Sequence, residues 1–168
     1  MKQIAIQNLS GAFELRKLNE NDVELIYEFC QRHTLFYEHC GKANSRELIR
    51  QDLAITPPGI PMEQKNYLGF FAGEDLVAVM DLIDGYPEPD HCFIGFFMMD
   101  AWQQGKGIGS RILTDALGYL SQLGFRKCQL GIDKTNPQSN HFWRKNGFRV
   151  IREVVREDGT ILLAEKQL

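Results

Sequence analysis

The chain has 168 residues, close to one nominal domain of about 150, and its 43% hydrophobic and 24% charged residues suit a packed globular chain rather than a disordered one. Nineteen basic against 22 acidic residues leave a net charge of −3, which argues against a nucleic-acid or anionic-membrane binder, since both advertise a basic excess. The longest nearly unbroken apolar run, Phe93 to Met99, falls far short of the ~20 residues that cross a bilayer.

A single domain spanning 1–168 is therefore expected, and its elements read off in order. Phe13 to Leu18 alternates imperfectly between apolar and charged residues and predicts a strand, followed by the helix-capping residues Asn19, Asn21 and Asp22. Val23, Ile26, Tyr27 and Cys30 recur at helical spacing, and the pattern dissolves between His33 and Gly41. Asn44, with Glu47 three residues on, suits a capping box for a short second helix, which Thr56-Pro57-Pro58-Gly59 ends. Tyr67 to Phe71 and Leu76 to Ile83 are rich in strand formers and flank Ala72-Gly73-Glu74-Asp75, so they predict an antiparallel hairpin.

After a wider turn at Gly85 to Asp90, Cys92 to Met99 is apolar almost throughout, the mark of a central strand covered on both faces. Gly95 inside it points to a bulge or a close backbone approach. Next comes Gln104-Gly105-Lys106-Gly107-Ile108-Gly109-Ser110, and then an amphipathic helix whose stripe runs Ile108, Ile112, Leu113, Ala116, Leu117, Leu120 and Leu123, with Gly124 as its stop. Three glycines in five residues let backbone N–H groups converge on a ligand, and the helix N-terminus adds a partial positive charge. This is the chemistry of a phosphate cradle, to which Lys106 and Arg111 stand close enough to add full charges.

The sequence lacks G-x-x-x-x-G-K-[ST], so a phosphate-loop NTPase is excluded. The dinucleotide pattern G-x-G-x-x-G fails at its third glycine, where Ser110 or Ile112 stands. A plain corner, with glycines that only turn the chain, is the alternative reading of the loop. The four cysteines, Cys30, Cys40, Cys92 and Cys128, match no zinc spacing, and the N-terminus has no apolar core of signal-peptide length. Together these predict a reducing, cytoplasmic setting, no metal, and thiols that serve as small buried hydrophobes.

Gln104-x-x-Gly107-x-Gly109 at a strand-to-helix junction resembles the pyrophosphate loop of the GNAT superfamily, the acyl-CoA-dependent N-acyltransferases. Downstream, Phe125 to Asp133 reads as a strand parallel to Cys92–Met99, since a helix lies between them. Asn136-x-x-Ser139-x-x-Phe142-Trp143-x-x-x-Gly147-Phe148 is similar to the superfamily's second signature, N-x-x-A-x-x-F-Y-x-x-x-G-F, with Pro137 opening a helix and Gly147 closing it. The closing strands are Phe148–Arg156 and Thr160–Lys166.

The resemblance implies an α/β (α+β) fold: a mixed, mostly antiparallel sheet of about seven strands flanked by about four helices, with a splayed central parallel pair. It implies acetyl-CoA as cosubstrate, its pantetheine pairing with the backbone of Phe97, Met98 and Met99. The pyrophosphate would lie on Gln104, Gly105, Lys106, Gly107, Ile108, Gly109 and Ser110, with Asn136, Ser139 and Trp143 flanking the pantetheine and thioester. The implied reaction is direct acetyl transfer to a primary amine of a small molecule or peptide in a ternary complex, by a monomer or homodimer. The alternative is an acyl-CoA binding module without turnover. This sequence departs from the family at Trp143, where a Tyr acid is usual, and at Ser139, where Ala is. No strand carboxylate lies within Cys92–Met99, so the base candidates are Glu38, His39, Asp81, Asp84, Tyr86 and His91. Of these, Glu38 and His39 are favoured because Tyr37-Glu38-His39 falls where the acceptor wall usually forms.

Overall fold

Seven strands form one sheet in a computed structural model that describes residues 2–168, the side chains of residues 34 and 35 left aside. They are β1 (Glu14–Lys17), β2 (Lys65–Ala72), β3 (Asp75–Asp84), β4 (His91–Met99), β5 (Lys127–Asp133), β6 (Arg149–Arg156) and β7 (Gly159–Gln167), in the order β1-β2-β3-β4-β5-β7-β6. All neighbours are antiparallel except β4 and β5, which run parallel because helix α4 (Ile108–Gln122) carries the chain back between them. The remaining helices are α1 (Val23–Cys30), α2 (Thr34–Cys40), α3 (Arg46–Ala54) and α5 (Pro137–Lys145).

Two expectations are corrected. The apolar pattern of α1 dissolves after Cys30, yet Thr34–Cys40 are helical and end at Gly41 in the left-handed conformation (φ +73°), which makes five helices in place of about four. Helix α3 is capped not by Asn44 but by Ser45, whose hydroxyl accepts from the Leu48 N–H at 3.0 Å. Asn44 instead donates from Nδ2 to the Tyr27 carbonyl at 3.2 Å, tying the entry of α3 to α1.

The sheet is covered on both faces. On one, Ile112, Leu113, Ala116, Leu117 and Leu120 of α4 pack on Leu68, Phe70, Met80, Leu82, Cys92 and Ile94. Burying each of the leucines and the isoleucine of α4 contributes roughly 1.5–3 kcal/mol, so packing, more than intrinsic propensity, holds α4 in place. On the other face, Val23, Ile26, Phe29 and Cys30 of α1 and Ile49 of α3 pack on Leu18, Tyr67, Leu76, Val79 and Met98.

The glycine of β4 sets which side chains reach which layer. Asp81 pairs with Phe96 and Leu82 with Ile94, so Gly95 is the extra residue of a bulge. The extra residue shifts the alternation of the strand by one. Phe96 therefore joins the α1 side, meeting Phe36 edge-on with centroids 5.5 Å apart, while Phe97 and Met99 face the α4 side.

Candidate functional site

The parallel pairing of β4 with β5 covers only His91 to Ile94 against Lys127 to Leu130. From the bulge onward the strands part, and a cleft of about 1000 Å³ opens between Gly95–Met99 on one wall and Gly131 to Ser139 on the other. The splay expected of the central pair is thus present, and it begins at Gly95.

At the head of the cleft sits the glycine loop. Gly105 and Gly107 both take φ +76°, a conformation that a side chain resists, and Gly107 is the N-cap of α4. The Arg111 backbone N–H donates to the Gly107 carbonyl at 3.1 Å, which leaves the N–H groups of the preceding turn aimed outward past the helix end. A Cβ on Gly109 would stand 3.2 Å from Met99 and 3.3 Å from Phe142, so this glycine allows α4 to press against both walls. Beside it, the Ser110 hydroxyl lines the cleft, buried and without a hydrogen-bond partner among the described residues. An orphaned hydroxyl at a helix N-terminus suits an anionic ligand that accepts a hydrogen bond from it.

Helix α5 forms the opposite wall. Asn136 Oδ1 accepts from the Ser139 N–H at 3.1 Å and starts the helix, while Pro137 supplies the first turn without needing a partner for a missing N–H. Gln104 bridges the two sides, donating to the Met99 carbonyl at 3.3 Å and accepting from Gln138 Nε2 at 3.1 Å. The Met99 carbonyl also faces His33 Nε2. Trp143 is buried, with ring contacts to Phe142 at 5.0 Å, Phe148 at 5.2 Å and Phe97 at 5.8 Å, and an edge on the cleft.

Of the residues predicted to hold the cosubstrate, Phe97, Met98, Met99, Gln104, Gly105, Gly107, Ile108, Gly109, Ser110, Asn136, Ser139 and Trp143 all line this one cleft. Lys106 does not: it lies exposed outside the lining, and the Arg111 side chain leans toward Asp115 at 3.6 Å instead of toward the loop.

The cleft continues past Gly95 onto the α1 side of the sheet, into a chamber walled by Tyr37, Ile49, Asp52, Tyr67, Asp81 and Phe96. Glu38 and His39 are not in it. The helical pitch of α2 turns Phe36, Tyr37 and Cys40 toward the cleft, while Glu38 lies outside the lining and His39 Nδ1 meets Thr135 Oγ1 at 2.8 Å. Tyr86, Asp84 and His91 also lie outside it: Tyr86 meets Phe93 edge-on, and His91 is 3.6 Å from Asp90.

Asp81 is the candidate carboxylate that does reach the chamber. Its Oδ2 receives Lys65 Nζ at 2.6 Å, and its buried Oδ1 has no partner among the described residues. Burial pushes the Asp81 carboxyl up, against the pull of the Lys65 ammonium. Asp52 is likewise raised by burial, against Lys65 and Lys42. Desolvation also raises Tyr67 and Tyr37, and pushes the Cys30 thiol up to about 11, so these three stay protonated near neutrality. Lys65, Tyr67 and Asp52 were not singled out from the sequence. The available signal was weak: Lys65 stands between Gln64 and Asn66 at the start of the strand, and only the period of two puts it on one face with Tyr67.

The model of the acetyltransferase (GNAT) family matches residues 24–148. No curated protein matches the chain. Among solved structures, an acetyltransferase from Thermus thermophilus is similar with a TM-score of 0.74 at 20% identity, over 94% of this chain and 97% of that one. The PaiA N-acetyltransferase of Thermoplasma acidophilum, in complex with coenzyme A, gives a TM-score of 0.66 at 20% identity over 93% and 99%. AAC(6')-Ib, in complex with ribostamycin and coenzyme A, gives 0.70 at 17% identity over 91% and 92%. Among the described residues, no helix is long and apolar enough to cross a membrane, and no cluster of His, Cys, Asp and Glu could hold a metal ion.

Proposed function

The chain belongs to the acetyltransferase (GNAT) family, and on that premise we propose that it moves the acetyl group of acetyl-CoA directly to a primary amine while both substrates are bound. The observation that carries this reading is the gap between β4 and β5, which opens beside a glycine-rich helix N-terminus with the unpartnered Ser110 hydroxyl in it. The outward N–H groups of Gly105 to Gly109 and the Ser110 hydroxyl bind the pyrophosphate, where the helix terminus favours negative charge. The pantetheine lies in the gap as an added strand along Phe97 and Met98. The Met99 carbonyl already faces Gln104 Nε2 and His33 Nε2, so it has less to offer the pantetheine than the other two.

Holding donor and acceptor in one cleft supplies most of the rate, because it turns an encounter between two molecules into a step within one complex. Trp143, in the place of the usual Tyr, packs as a wall: an indole N–H can donate a hydrogen bond but is no practical proton source. The solved neighbours with ribostamycin bound, or described as a spermidine N-acetyltransferase chimera, support a small-molecule amine as acceptor. Four free cysteines fit a reducing, cytoplasmic setting.

Trp143 also favours the second reading, a module that binds acyl-CoA without turnover. A calorimetric titration with acetyl-CoA, with NAD and ATP as controls, tests the cosubstrate: binding of acetyl-CoA alone is expected, and no response to it overturns the assignment. Thiol release across a panel of amines then separates the two readings. Release with at least one amine supports the enzyme, and silence with all of them, despite binding, supports the module.

A further inference from the structure

We propose that Asp81 accepts the proton of the incoming amine, with Lys65 behind it as a positioning residue. This rests on the acetyl-transfer reading above.

Asp81 lies at the middle of β3 on the α1 side, and its carboxylate is held by one oxygen only. Lys65, its side chain 2% exposed, binds Oδ2 and does not itself line the cleft. Oδ1 is buried with no donor among the described residues. A buried carboxylate oxygen left unpaired costs stability, and replacing such an ion pair by apolar residues is commonly neutral or better, so the pair is a poor device for holding the sheet together. Asp81 also lines the chamber, so its carboxylate has spare acceptor capacity beside the space an amine would enter.

The position of the carboxylate fits that role. Gly95, the extra residue of the β4 bulge, lies directly against it: a Cβ there would stand 3.0 Å from Oδ2. Gly95 is exposed to the cleft at the point where β4 and β5 part. Asp81 is therefore the carboxylate placed at the junction of the donor gap and the acceptor chamber. The groups facing it are Lys65 and Tyr67 from β2 and Asp52 from α3. Lys65 favours the ionised carboxylate that a base requires, and burial with the Asp52 charge makes that carboxylate more basic than a free one.

An amine enters as its ammonium and gives one proton to the Asp81 carboxylate, exposing the nitrogen lone pair. That pair forms the N–C bond to the thioester carbonyl carbon, the C–S bond breaks, and its electrons go to sulfur. The second proton lost from nitrogen goes to the thiolate, and Asp81 releases the first to water. The products are an amide, a thiol and one proton.

The test uses the full chain, acetyl-CoA and the primary mono- or diamine that gives the fastest thiol release. Asp81→Asn is expected to lower kcat by about 100-fold or more at pH 7, with a residual rate that climbs as pH frees the amine. Calorimetric affinity for acetyl-CoA stays within about twofold, because Asn keeps the size of the side chain and Asp81 is none of the residues that hold the pyrophosphate or pair with the pantetheine. Lys65→Met removes the cation that keeps Asp81 ionised, so the acid limb of kcat/KM moves to higher pH. The double variant Lys65→Met/Asp81→Asn removes the pair without leaving a lone buried charge, and it is expected to fold and stay slow. A double variant that recovers wild-type kcat, or an Asp81→Asn enzyme with the wild-type rate and acid limb, overturns the proposal. If the wild-type chain binds acetyl-CoA but releases thiol with no amine, the acetyl-transfer reading fails first and this inference falls with it.

Discussion

The Phe97 ring stacks on the Phe142 ring, centroids 5.9 Å apart and planes 16° from parallel, across the line where β4 and β5 separate. Trp143 meets both rings and closes the wall with Phe148. The gap thus has aromatic packing on one side and open backbone on the other, which keeps it open without β4–β5 hydrogen bonds. Trp143→Ala is expected to destabilise the chain by about 3–5 kcal/mol, and Trp143→Phe, which keeps most of the ring contacts, by clearly less. Urea denaturation of the two variants checks the order. Equal loss in both would show that the wall does not depend on ring packing.

Gly107→Asp places a carboxylate and a left-handed side chain at the N-cap of α4. Nothing lies within 4 Å of its Cβ, so the folding cost is about 1–2 kcal/mol of backbone strain rather than a clash. Acetyl-CoA binding is expected to fall by at least about tenfold, since like charge then meets the pyrophosphate. Calorimetry on the folded variant reads this directly, and undiminished affinity would return the loop to a plain corner.

Ser110→Ala removes a buried hydroxyl that has no partner among the described residues. Stability is expected to hold or rise by about 1 kcal/mol, because an unsatisfied buried polar group is a cost, while acetyl-CoA affinity drops by about three- to tenfold. Opposite signs in the two measurements are the signature. A loss of stability would mean that the hydroxyl serves the fold.

Asp52 has its carboxyl raised in the folded chain, chiefly by burial. Between its ordinary and its folded range the unfolded chain binds fewer protons than the folded one, so stability falls as pH rises through that window and stays lower above it. Asp52→Asn is therefore expected to raise Tm at pH 7 and to leave it unchanged at pH 3. A Tm that falls at pH 7 would mean that the ionised carboxylate is held by a partner.

Much of this was legible in the chain itself. The apolar stripe from Ile108 to Leu123 and the stop at Gly124 are local signals, and so are Asn136, Pro137 and Gly147 around α5. Gly95 in an apolar strand hinted at the bulge that pairing confirms. Helix α2 was not legible, because Thr34–Cys40 spans only two turns, too short for Phe36, Tyr37 and Cys40 to establish a repeat, and its end depends on Gly41. Nor was the choice among carboxylates. Asp81 and Asp84 share one strand, and only the pairing across β2, β3 and β4 brings Asp81 to Lys65 and to the chamber. Glu38 and His39 were favoured by their position in the chain, which could not say which way α2 turns them.

The shift in alternation at Gly95 has a consequence for redesign. It decides which layer each of the neighbouring side chains enters, Phe96 the α1 side and Phe97 the α4 side, so the donor gap and the acceptor chamber are lined largely by different residues that meet along β4. Free-energy changes made by substitution in one set are then close to additive with those in the other. The acceptor chamber around Tyr37, Asp52 and Tyr67 can be varied to admit new amines without renegotiating how the nucleotide end is held, whereas Gly95 and Asp81, which touch at the junction, cannot be changed independently of either side.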